Sequence, residues 1–277
     1  MPTNREAYFK AIKLNVPQSV VYFALQEING FNYLQLTEHF DGEIKDNIFF
    51  ETAIKRYLNG EMIEYIFNKT MFLSLPFYVD KNVLIPRQET EQLVLRTKEL
   101  IKEMFGEKQV SIADVCTGSG AIGLSLKNML PNNRYYLTDI SKEAIRVCKI
   151  NADRLSLNQN ITLLQGDMLK PLIDKSIKVD VIVCNPPYIE DETTIDEKTF
   201  KQEPHLALIA KPNTLYYEEV FKNAGAVLNN KYLMSFEIGE DMENRLSTLV
   251  EKYFPHDEFF FEKDIYGKTR FLFIKHQ

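Results

Sequence analysis

Apolar residues recur at helical spacing through the first 75 residues and then change period. In 17–30, "PQSVVYFALQEING", a helix pattern opens after Pro17 and stops at Gly30. In 48–60, "IFFETAIKRYLNG", Phe50, Ala53, Ile54, Tyr57 and Leu58 share one face before Gly60. These patterns predict a helical domain over 1–75, expected to recognise the substrate. The stretch "LSLPFYVDKNVLIPRQETE" is β-rich and broken by Pro76 and Pro86, and it predicts a β-hairpin linker over 76–88.

From residue 89 strands and helices alternate. "ETEQLVLRTKELIKEMFG" is amphipathic and stops at Gly106, and the apolar run "VSIADVC" leads into "TGSGAIGLSLKNML". Strand "RYYLTD", helix "KEAIRVCKINADRL", strands "ITLLQGD" and "KVDVIVC", helix "TLYYEEVFKNAGAVL" and strand "YLMSFEIG" follow, and "FFFEKDIYGKTRFLFIK" reads as a closing pair of strands. This alternation predicts an α/β fold: a Rossmann-like, doubly wound, mostly parallel seven-stranded sheet over 89–277, behind the small helical domain.

Composition narrows the class. With 277 residues, 45% hydrophobic and 26% charged, the chain has the make-up of an ordinary globular protein. No apolar run approaches the length of a membrane span, and "MPTNREAYFKAIKLN" lacks the apolar core of a signal peptide. The expectation is a cytoplasmic monomer with no membrane partner. Cys116, Cys148 and Cys184 form no C-x-x-C pair, and His39, His205, His256 and His276 are scattered, so no metal is expected. A net charge of -6 argues against direct tracking along nucleic acid, which draws on many Lys and Arg contacts to phosphate.

Two stretches carry chemistry. In "DVCTGSGAIG", Gly118-x-Gly120-x-x-Gly123 lies between a strand and a helix, and Asp139 ends the next strand. Such a loop brings a nucleotide close to the backbone, and the later acid accepts from a ribose diol. A nicotinamide dinucleotide would use the same layout. Two carboxylates favour S-adenosylmethionine instead. Asp114, before the glycines, suits a sulfonium and an ammonium better than a pyrophosphate. Asp167 in Gly166-Asp167-Met168 is placed to accept from an adenine amine, with Met168 packed on the ring; Asp167 also reads as a turn residue.

The second stretch is "NPPYI" at 185–189, directly after "KVDVIVC". Two prolines fix the backbone and end the strand abruptly. The side-chain oxygen of Asn185 and the carbonyl of Pro186 are two acceptors in fixed relation, which fits the two donors of a planar –NH2 group. Holding both N–H groups aims the nitrogen lone pair at a methyl carbon, so catalysis is by orientation and electrostatics, with no general base. Pro187 frames the same group and Tyr188 is expected to stack on it.

Taken together, the helical leader, "LIPRQETE", "DVCTGSGAIG", "LTDIS", "QGD", "NPPYI", "EPHLAL", "FEIG" and "EKDIYGKTR" resemble the release-factor glutamine methyltransferase family (HemK/PrmC) over nearly the whole chain. The resemblance implies methyl transfer from S-adenosylmethionine, giving S-adenosylhomocysteine, to the glutamine of the Gly-Gly-Gln loop of peptide-chain release factors. By position, Cys116, Thr117, Gly118, Ser119, Gly120 and Asp139 would hold the cofactor, Asn185 would contact both ligands, and Pro186, Pro187 and Tyr188 would frame the glutamine. Arg87, Glu89 and Glu203 also match, and each reads as a surface ion pair or a helix start. Three departures stand out: Gln88 in place of the usual proline, Cys116 in place of a glycine, and "AKPNTLYY" in place of a glycine-rich stretch. Asn-Pro-Pro-Tyr is shared with amino-methyltransferases acting on adenine or guanine in nucleic acid. That is the alternative function, and a non-catalytic binding module is a third.

Overall fold

In the computed structural model, which describes residues 1–277, the chain forms two compact units, Met1–Lys69 and Thr70–Gln277. The first holds α1 (Asn4–Lys13), α2 (Gln18–Asn29), α3 (Tyr33–Glu38), α4 (Asn47–Leu58) and α5 (Ile63–Phe67). Local chemistry sets the helix starts. Thr3 and Glu6 form a capping box on α1, Asn32 and Gln35 another on α3, and Asp46 caps α4. Val21, Ala24 and Leu25 of α2 pack with Leu36, Ile44 and Phe50 in the core of this unit. Phe50, Ala53 and Ile54 are buried as the spacing predicts, whereas Leu58, the last residue of α4, is exposed.

The second unit opens with a hairpin, β1 (Thr70–Phe72) and β2 (Leu75–Phe77), which overlaps the 76–88 expected from sequence only at residues 76 and 77. Its turn residues, Leu73 and Ser74, both have positive φ (46° and 63°) without the Gly or Asn that usually marks such a turn. Pro76 sits within β2, opposite Met71, in a two-stranded ribbon where a missing N–H is tolerated. No strand follows before α6 (Gln88–Phe105).

The main sheet has the order β5-β4-β3-β6-β7-β9-β8. Its parallel part comprises β3 (Ser111–Val115), β4 (Arg134–Asp139), β5 (Ile161–Gln165), β6 (Val179–Cys184) and β7 (Leu228–Glu237). The antiparallel strands β8 (Glu258–Lys263) and β9 (Thr269–His276) close one edge. Helices α7 (Ala121–Met129), α8 (Lys142–Arg154), α9 (Lys170–Asp174), α10 (Glu197–Gln202), α11 (Leu215–Val227) and α12 (Glu243–Tyr253) connect the strands. Strand residues alternate between two cores. Ile112, Val181 and Val183 meet Leu93, Val94, Ile122 and Leu126 of α6 and α7. Ala113, Val115, Ile182 and Cys184 meet Tyr217, Val220, Leu246 and Val250 of α11 and α12. With both faces covered, the central strands read as unbroken apolar runs. No helix is long and apolar enough to cross a membrane.

From β3 the chain winds outward to β4 and β5, then returns to lay β6 on the other side of β3. The carboxyl ends of β3 and β6 therefore flank a topological switch point, where open α/β sheets leave a crevice for a ligand.

Candidate functional site

At the end of β3 the backbone passes through Cys116 (φ 60°), Gly118 (φ 55°) and Gly120 (φ 84°), a tight left-handed turn that delivers the chain into α7. The turn is pinned from below. Thr117 donates its N–H to the Thr138 carbonyl at 2.9 Å, and its hydroxyl donates to Asp114 Oδ2 at 2.6 Å. Gly123 donates its N–H to the same Asp114 oxygen at 2.8 Å. Asp139 closes the other side: it accepts from Gly118 N at 2.9 Å and from Ser141 N at 2.9 Å.

Beside this turn lies a cavity of about 250 Å³. Its wall includes Cys116, Thr117, Gly118, Ser119, Asp139, Asp167, Met168, Asn185 and Pro187, so nine of the residues singled out by sequence converge on one space. Four others do not line it. Asp114 is fully buried behind the turn, where it holds the loop rather than facing a ligand. Its Oδ1 has no partner, and burial pushes the carboxyl up to about 7. Gly120 serves the turn, since a Cβ there would lie 2.7 Å from Cys148 Sγ. Pro186 is buried off the wall. Tyr188 differs most from expectation: its ring packs against the core and its hydroxyl donates to Glu237 Oε1 at 3.2 Å, so it supports the site from behind.

That contact belongs to a buried polar cluster that the sequence did not assign. Glu237, at the end of β7, also accepts from the Thr90 hydroxyl at 2.6 Å, and Thr90 Oγ1 accepts from Asn185 Nδ2 at 3.3 Å. Burial raises the Glu237 carboxyl above its usual range, opposed by Thr90 and the Arg270 guanidinium. Arg87 and Glu203 likewise differ from a surface pair. The Glu203 side chain is wholly buried, pairs with Arg87 and accepts from Ile85 N at 3.1 Å, while Glu89 does sit in the first turn of α6.

Residues 92–205 match the methyltransferase small domain family. The chain is 36% identical over 229 residues to the release factor glutamine methyltransferase of Bacillus anthracis, covering 82% of this chain and 80% of that protein. It is 30% identical over 272 residues to the one from Mycoplasma mycoides, covering 96% and 95%. The chain belongs to the release factor glutamine methyltransferase family.

Solved structures agree on the fold. A ribosomal protein L11 methylase from Lactobacillus delbrueckii superposes with TM-score 0.51 at 20% identity, covering 72% of this chain and 84% of that one. A T. Thermophilus 16S rRNA N2 methyltransferase, solved with AdoMet and guanosine, gives 0.53 at 16%, covering 76% and 50%. Within this glutamine methyltransferase, the divergent 210–217 stretch places Tyr216 on the cavity wall and buries Tyr217, whose hydroxyl donates to the Glu237 carbonyl at 2.7 Å. Thr90 in "ETE" and Glu237 in "FEIG" carry no local signal of this role, because their contacts to Asn185 and Tyr188 span 95 and 49 positions.

Proposed function

We propose that the protein methylates the side-chain amide nitrogen of the glutamine in the Gly-Gly-Gln motif of peptide-chain release factors, using S-adenosylmethionine. One observation carries this reading: Asn185 stands on the wall of the cavity at the switch point with its Nδ2 already engaged, which leaves Oδ1 as an acceptor for a planar amide.

The chain's own groups fit the cofactor. The Gly118 N–H of the glycine turn donates to Asp139, so a dinucleotide pyrophosphate would meet a carboxylate where it needs a donor. A cationic ligand suits that carboxylate. Each Asp139 oxygen accepts one backbone N–H and keeps a lone pair for a ribose hydroxyl. Asp167 and Met168 supply a polar edge and an apolar face for an adenine, and Thr117 and Ser119 complete the cradle. Bound there, S-adenosylmethionine supplies a methyl group on a cationic sulfur, which departs as the neutral thioether of S-adenosylhomocysteine.

Asn185 Oδ1 accepts one N–H of the substrate amide, and the second acceptor in this reading is the backbone carbonyl of Pro186, a residue otherwise buried off the wall, which substrate binding would have to reach. Both hold the nitrogen lone pair toward the methyl carbon and stabilise the positive charge that grows on nitrogen. The surplus proton leaves to water. Pro187 keeps this geometry rigid. Recognition of the release-factor body is assigned to residues 1–69, whose exposed Tyr33, Leu34 and Ile48 offer apolar contacts.

Incubation of a purified release factor with this protein and S-adenosylmethionine, followed by intact-mass analysis, tests the proposal. One added methyl on the native factor, and none on a factor whose Gly-Gly-Gln glutamine is alanine, is the expected result. Methylation of neither, with RNA or DNA modified instead, favours the base-directed alternative.

A further inference from the structure

We infer that Thr90 and Glu237 form a positioning pair that fixes which end of the Asn185 amide faces the cavity. The inference rests on the function proposed above and extends it to two residues to which that reading gives no ligand contact, Thr90 on the cavity wall beside Asn185 and Glu237 behind it.

A primary amide presents an oxygen on one side and an –NH2 on the other, and the two differ by a half-turn of the same side chain. Only the oxygen is useful against a substrate –NH2 group. What selects it is the chemistry of Thr90. A hydroxyl has one proton and two lone pairs. The Thr90 proton is committed to Glu237 Oε2 at 2.6 Å, a charge-assisted bond between two buried side chains. The oxygen of Thr90 therefore faces Asn185 as an acceptor, and only Nδ2 can sit against it, at 3.3 Å. The Asn185 oxygen is thereby turned away from Thr90.

Glu237 in turn is held in place. Tyr188 donates to its other oxygen at 3.2 Å, and the Tyr217 hydroxyl anchors its backbone carbonyl at 2.7 Å. The Arg270 guanidinium, donating to the neighbouring Ile238 carbonyl at 3.4 Å, offsets the buried charge. Thr90 comes from the first turn of α6, Glu237 from the end of β7 and Asn185 from the end of β6. Three separate elements thus meet at one amide.

The test is a double-mutant cycle in the full-length protein. Thr90→Val keeps the shape but removes the acceptor, and it should lower kcat on the release factor by about 10- to 100-fold, the scale for a lost orienting contact, with little change in KM for S-adenosylmethionine. Thr90→Ser should recover most of that loss. In an Asn185→Ala background Thr90→Val should cost less than about twofold, because the pair acts only through Asn185. Equal losses in both backgrounds, or no loss in the native one, overturn the inference.

A second readout needs no substrate. The side-chain –NH2 signals of Asn185, assigned by their absence in Asn185→Ala, should be protected from exchange in 15N-labelled native protein and in Thr90→Ser, and lose protection in Thr90→Val. Unchanged protection in Thr90→Val counts against the pair even where no release factor is methylated. Failure of the native enzyme to methylate any release factor, with protection behaving as stated, removes the proposed function and leaves the positioning intact.

Discussion

The Thr117 hydroxyl donates to a fully buried Asp114 carboxylate at 2.6 Å, and the second oxygen of that carboxylate has no partner. The glycine turn thus rests on a buried carboxyl that is only half satisfied. Burial raises the Asp114 carboxyl from 3.8 to about 7, so between those values the folded protein holds a proton that the unfolded chain has lost. Stability from this group is complete at low pH and falls as pH rises toward and through about 7. Asp114→Asn keeps one oxygen for Thr117 and Gly123 and cannot ionise. Melting curves from pH 5 to 8 should show native stability declining relative to the variant by up to ~3 kcal/mol and levelling off above about 7. Parallel curves would place the proton elsewhere.

Gly118 and Gly123 belong to one sequence signature but should fail in opposite ways. At Gly123 a Cβ would lie 2.8 Å from Asp114 Oδ2 and 2.9 Å from Leu137 Cγ, so Gly123→Ala should cost about 1–3 kcal/mol in urea unfolding, the range for overpacking. Gly118, at φ 55°, has open space around it and lines the cavity. Asparagine tolerates that conformation, so Gly118→Asn should unfold near the native urea midpoint while binding cofactor poorly in calorimetry. Equal stability losses in both variants would contradict this division.

The contrast explains what was legible in the sequence. The alternation of apolar strands and amphipathic helices is local, and it locates all seven strands of the main sheet. The glycine turn and Asp139 are also legible, because a strand, a turn and a helix follow one another within a few residues. Three elements were harder to see. The Leu73-Ser74 turn lacks the Gly or Asn that favours positive φ, α12 begins without a side-chain cap, and α10 hides in what reads as a long connection. At the site the limit is distance along the chain. Nothing near Asn185 in sequence announces Thr90, and nothing near Tyr188 shows that its hydroxyl will turn inward to Glu237. Such contacts arise only when strand order β3-β6-β7 brings the strand ends together.

Cys116 occupies a left-handed position, φ 60°, a conformation that favours glycine. A side chain there costs roughly 1–2 kcal/mol, partly offset because glycine loosens the unfolded chain. Cys116→Gly should therefore fold at least as stably as the native protein. Cys116→Val adds a β-branched side chain to the same backbone and should lower the urea unfolding free energy by more than about 2 kcal/mol relative to Cys116→Gly. Closely similar midpoints for the two variants would show that the turn relaxes away from this conformation.

Asp139 presents a harder separation, because the same carboxylate holds the turn and, in the proposed function, the ribose. Asp139→Ala removes both roles. It orphans the N–H groups of Gly118 and Ser141 and should weaken cofactor binding by about 1.5–3 kcal/mol, roughly 10- to 100-fold. That loss alone does not identify a ribose contact, since a loosened turn weakens any ligand. The ligand must be varied as well. The native protein should bind S-adenosylhomocysteine more tightly than an analogue lacking the ribose hydroxyls, because the analogue forfeits hydrogen bonds to a charged carboxylate. Asp139→Ala should bind the two about equally, since it has no carboxylate to accept from those hydroxyls. If the variant keeps the native preference, the hydroxyls are read by another group and Asp139 serves the turn alone.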